Sequence, residues 1–163
     1  MIINPKILSL KPEAISLNGF FISAVTYKST SLDNETRTEL LLKALYGIRA
    51  FHSYDFEILA CKGIYKGHTE DSFFVKDNSG NFNLKLANDV MNLGELFGQS
   101  NVLFTAKDTG ADLVKLGGFR GDFDSLELVK NDVVHQSDVD LDSKDDCSVI
   151  DLGGGWVQIV QYK

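Results

Sequence analysis

The residues best spaced for chemistry in this chain are Tyr65 and Glu70. They stand around the stretch Gly63-Ile64-Tyr65-Lys66-Gly67-His68, which reads as a turn whose two glycines let backbone approach a ligand. A tyrosine and a carboxylate at such a mouth are the best candidates in the chain for contacting a ligand. Taken alone, however, the two residues favour a plainer reading, a surface tyrosine and a solvated carboxylate.

Other arrangements fall short of a known chemistry. His68-Thr69-Glu70 has the His-x-Glu of a zinc deaminase, but the chain lacks the Pro-Cys-x-x-Cys that completes that site. His52 and His135 are too distant in sequence to give metal-ligand spacing. Asp138, Asp140, Asp142 and Asp145 invite a calcium loop, yet Ser143 and Val149 stand where an EF-hand needs glycine and glutamate. Gly153-Gly154-Gly155 lacks the lysine and hydroxyl residue of a phosphate loop and the spacing of a dinucleotide fold, so it reads as a hairpin tip. Arg120-Gly121-Asp122 is an adhesion tripeptide short enough to arise by chance. Cys61 and Cys147 read as packed thiols. No Ser/His/Asp or Cys/His team is spelled out, so an enzyme made from this chain would do chemistry that asks little of side chains.

The chain that must position Tyr65 and Glu70 has 163 residues, a length that suits one domain over 1–163. Its net charge of −7 is concentrated. Between Gly121 and Asp151 ten acids face two bases, which leaves 14 bases and 13 acids elsewhere. A near-neutral body with one acidic strap (121–146) offers no basic footprint for nucleic acid. No apolar run approaches the ~20 residues that span a bilayer. Met1–Lys11 does not read as a signal peptide, and two distant cysteines suit a reducing compartment, so the expected location is the cytoplasm. The strap itself reads as a solubilising surface segment.

Residues 1–18, which carry Pro5 and Pro12, read as an N-terminal arm. Phe20–Tyr27 is a first strand by its β-formers. Leu41, Ala44, Leu45 and Ile48 recur at helical spacing within Asn34–Ala50, with Ser31 or Asp33 as cap. Phe51–Lys62 and Thr69–Lys76 read as the next strands, and Asp77–Asn81 as a turn. Leu84–Phe97 is a second helix, followed by strands at Val102–Thr105 and Ala111–Val114. Gly117–Asp146 has little periodicity, and Cys147–Tyr162 closes the chain as two short strands. The order β-α-β-β-α-β predicts an α+β fold, the ferredoxin-like split βαβ sandwich with two helices on one sheet face and extra C-terminal strands.

The chain resembles the bacteriophage S-adenosylmethionine lyases, long called SAM hydrolases, which act against restriction systems. The resemblance runs from about Phe20 to Gln161 in a series of short pieces. They are Ile22-Ser23-Ala24, Asn34-x-x-Arg37, Gly63-x-Tyr65, Glu70-x-Ser72-x-x-Val75, Gln99-x-x-Val102-Leu103, Thr109-Gly110-Ala111-x-Leu113-Val114, and Cys147-x-x-Ile150-Asp151 leading to Trp156. Each piece is weak alone, and their shared order carries the signal. The family pattern has a longer loop between its tyrosine and glutamate than Lys66–Thr69 provides.

The resemblance implies a ferredoxin-like, PII-like subunit, a homotrimer with active sites between subunits, and Tyr65 and Glu70 as the catalytic pair. It implies substrate contacts from Ser23, Ala24, Val25, Asn34, Arg37, Ser72 and Gln99. S-adenosylmethionine (SAM) is then the substrate, and no cofactor, metal, nucleic acid or membrane takes part. The implied reaction is attack of the substrate's own carboxylate on the carbon next to the sulfonium, giving methylthioadenosine and homoserine lactone. Two other readings stand beside it: a non-catalytic trimeric SAM- or nucleotide-binding PII-like module, and an acidic antirestriction mimic that binds a host enzyme through the strap.

Overall fold

A computed structural model describes residues 10–65, 68–80, 83–106, 109–116, 122–140 and 146–163. The strands are β1 (Gly19–Ser23), β2 (Phe56–Tyr65), β3 (His68–Asp77), β4 (Asn101–Ala106), β5 (Gly110–Lys115), β6 (Phe123–His135), β7 (Cys147–Gly153) and β8 (Trp156–Tyr162). Helix α1 (Ser31–His52) follows β1, and α2 (Leu84–Leu96) follows β3. All strand pairs are antiparallel, and they close into a barrel in the order β1-β3-β2-β7-β8-β6-β5-β4.

This closure corrects the expected ferredoxin-like, PII-like sandwich. That fold leaves a sheet with free edges, whereas here β5, β6, β7 and β8 join β4 to β2 and leave none. The missing piece is β6, which crosses the acidic segment expected to be a surface strap. Leu128 pairs with Tyr162 but Lys130 with Gln161, so Val129 is an extra residue, a β-bulge. The bulge reverses the alternation along the strand. Leu128 packs on the barrel interior before it, and Asn131 reaches the interior Gln158 after it. A strand whose parity flips midway shows no period of two, and its acids hide the rest of the signal.

Strand alternation builds three buried clusters, the smallest of them Ile64, Val149 and Val157 of β2, β7 and β8. Phe20, Ile22, Phe73 and Val75 point outward, where Leu41 and Leu45 of α1 and Leu86 and Val90 of α2 cover them. Phe21, Phe74, Ile150 and Val160 point inward and meet Leu17 of the N-terminal segment, so this part of the barrel interior is packed core. The segment is held there: Gln158 accepts from the Ile15 amide at 2.8 Å and donates to its carbonyl at 3.2 Å. The N-terminal segment is therefore anchored in the barrel interior through Ile15 and Leu17.

Element boundaries moved for local reasons. The first strand stops at Ser23 rather than Tyr27, because Ser23 Oγ accepts from the Val25 amide and turns the chain. Helix α1 is capped by Thr30, whose side chain accepts from the Asp33 amide, and runs on to His52. It ends at Ser53, in the left-handed region at φ 53°. Phe51 and His52, expected in a strand, are thus its last turn. Gly63, Ile64 and Tyr65, expected in a turn, extend β2, while His68 opens β3. Among the described residues no helix is long and apolar enough to cross a membrane.

Candidate functional site

A cavity of about 710 Å³ opens at one mouth of the barrel. Tyr65, Glu70, Ser72, Ser23, Val25 and Gln99 all line it, six of the nine residues singled out in the sequence. Its inner wall is apolar, with Phe21, Leu103 and Leu113 from β1, β4 and β5.

Tyr65 and Glu70 meet because of register. Gly63 pairs with Glu70 across β2 and β3, and Tyr65 lies two residues further along the same face of β2. A methyl group built on Gly63 would come within 2.8 Å of the Tyr65 ring and 3.4 Å of the Glu70 Cγ. The glycine is therefore the seat on which the ring folds back beside the carboxylate. Burial pushes the Tyr65 phenol up to about 12, with the nearby Glu70 charge adding to the effect. Burial also raises the Glu70 carboxyl above its ordinary value of 4.5. Although 42% of Tyr65 remains exposed, its hydroxyl stays protonated near neutrality and serves as a donor.

Ser23 and Ser72 face one another across β1 and β3. The Ser23 hydroxyl is occupied: it donates to the Asp71 carbonyl at 2.9 Å and accepts from the Val25 amide at 3.0 Å. Ser72 and Ser148 flank the buried Cys61 thiol, whose pKa burial pushes up to about 12, leaving it a packing group.

Ala24, Asn34 and Arg37 do not line the cavity. Ala24 is buried in the outer core. Asn34 accepts from the Thr26 amide at 3.1 Å and donates to the Thr26 carbonyl at 3.2 Å. Arg37 donates to the carbonyls of Ala24, at 2.8 Å, and of Phe97. Gln99 donates to the Val25 carbonyl at 3.0 Å. These side chains lock the rim loop after β1 to α1 and to the loop after α2. Arg37 and Asn34 thus shape the mouth from behind.

Tyr27, Lys28 and Ser148 also line the cavity and escaped the sequence reading. The inward parity of β7 could have indicated Ser148. Tyr27 was hidden by its assignment to a strand. Among the described residues lining the cavity, Glu70 is the one carboxylate and Lys28 the one ammonium. No three His, Cys, Asp or Glu side chains converge among the described residues. Asp138 lies in a 3₁₀ turn, while Asp142 and Asp145 of the expected acidic loop fall outside the described residues.

Fold and site together define a closed antiparallel barrel with a ligand-sized cavity at one mouth, an apolar wall and opposite charges at the rim. No family model matches the chain, and no curated protein matches it.

Proposed function

We propose that the chain is a SAM lyase. The observation that carries the reading is the convergence of Tyr65 and Glu70 over Gly63 at the lip of a cavity of about 710 Å³. That volume lies within the ~300–1,000 Å³ typical of small-molecule sites. The order of the short motifs shared with the phage lyases supports it.

In the proposed reaction a carboxylate oxygen of the substrate attacks the carbon bonded to the sulfonium. The C–S bond breaks, its electron pair stays on sulfur, and methylthioadenosine leaves as a neutral thioether. The other product is homoserine lactone, and no proton or external reactant is consumed. Nucleophile and leaving group share one molecule, so the protein's task is to enforce the folded geometry. Glu70 binds the substrate ammonium and fixes the methionine arm. The un-ionised Tyr65 phenol donates to the attacking carboxylate and steers it. The apolar wall of Phe21, Leu103 and Leu113 surrounds the charges that vanish as the ring closes. Truncating either polar residue should cost about 2–4 kcal/mol of barrier.

The proposal includes a homotrimer in the host cytoplasm. Helix α1 exposes Leu40 and Phe51, three turns apart on one face, which supports association with further copies. Incubation of the purified chain with SAM tests the reading, and methylthioadenosine should accumulate. Tight binding in calorimetry with intact SAM recovered afterwards would instead identify a non-catalytic binding module.

A further inference from the structure

We propose that Tyr27 is the stacking platform for the nucleobase of the cavity's ligand and so a specificity-determining residue. The inference rests on reading the cavity as the site of an adenosine-bearing molecule.

Tyr27 lines the cavity, yet 85% of it is exposed. At the rim of a cavity an aromatic side chain offers a broad apolar face for a ligand and a polar tip for water. Its backbone is held firmly on both sides. Thr26 makes two hydrogen bonds to Asn34, the Thr26 and Ser29 hydroxyls lie 2.7 Å apart, and the Ser29 amide donates to the Thr26 carbonyl at 3.3 Å. Arg37 fixes the carbonyl of Ala24 just upstream, and Gln99 fixes that of Val25. This turn and its braces thus present one unburied ring at the rim. Ordering a tyrosine costs little, because only two side-chain torsions must be fixed.

The rim also divides the ligand. Tyr65 on β2 and Glu70 on β3 take the charged methionine arm in the proposed reading, while Tyr27 stands on the separate loop after β1. A nucleobase is the aromatic part of such a ligand, and every base offers a face for stacking. Tyr27 and Tyr65 both line the cavity. The two rings therefore bound the same opening.

Calorimetry with 5′-methylthioadenosine measures the platform without requiring turnover. Tyr27→Leu, which keeps bulk but has no aromatic face, should weaken binding about tenfold or more, and Tyr27→Phe should bind like the parent chain. Equal affinity of Tyr27→Leu and the parent chain overturns the platform and leaves the lyase reading standing. Loss of binding in Tyr27→Phe shows that the hydroxyl is what matters, and also overturns it. A parent chain that neither binds 5′-methylthioadenosine nor cleaves SAM overturns both. Because the side chain packs so little, thermal unfolding of the variants should match that of the parent.

Discussion

At Glu70 the needs of function and of stability oppose one another. The carboxylate must be charged to hold an ammonium, yet burial favours its protonated form. The proposed activity should therefore fall on the acid side with a midpoint above 4.5, the ordinary glutamate value. For stability the sign is the reverse of the usual carboxylate case. The folded chain holds the proton more tightly than the unfolded one, so stability declines as pH rises from the unfolded pKa through the raised folded one. Glu70→Gln should thus remove methylthioadenosine formation, lowering kcat/KM by at least about thirtyfold. Its melting temperature at neutral pH should equal or exceed that of the parent. A neighbouring test concerns the seat of the tyrosine. Gly63→Ala would press a methyl group to 2.8 Å from the Tyr65 ring and must displace it. A tenfold or greater loss in kcat/KM is expected, because small misplacement of a positioning group is costly. Retained activity in that variant would show that the ring's place beside Glu70 is immaterial.

At the scale of elements, what the sequence made readable were segments with one clear period. Leu41 and Leu45 mark α1 because both fall on its buried stripe, and Phe73 and Val75 mark β3 by alternation. Barrel closure was hidden because β6 contains the Val129 bulge, which swaps the inward parity from Leu126 and Leu128 to Asn131. Burial of its alternate residues is only partial, so acidic positions such as Asp124 and Asp132 sit on a strand that reads as a loop. Of the candidate site, the sequence displays Tyr65, Glu70 and the Gly63 on which the tyrosine ring sits. It does not display that Asn34 and Arg37 stand behind the cavity and serve backbone carbonyls and amides. Deleting Val129 should force Asn131 and its neighbours onto the wrong face. A loss of about 3 kcal/mol in urea unfolding is expected. A deletion variant as stable as the parent would mean that β6 closes the barrel by another register.

Taken whole, the described residues form a closed barrel with Leu17 packed in its interior and a cavity at one mouth. Leu17 and the Gln158 clamp hold the N-terminal segment in the interior, and α1 braces the rim of that mouth. The acidic excess lies along β6 and its flanks, so replacing Asp124 and Asp132 with asparagine should leave the cavity intact. Its proposed chemistry belongs to the cavity mouth, where Glu70 and Lys28 line the same space as Phe21, Leu103 and Leu113. In the proposed reaction this mouth folds SAM onto itself until its own carboxylate displaces the sulfonium. Product analysis in heavy-oxygen water tests this most directly. Methylthioadenosine is expected together with homoserine lactone that carries no oxygen from solvent. Methylthioadenosine no faster than the uncatalysed rate, or solvent oxygen in the first-formed homoserine product, would contradict it.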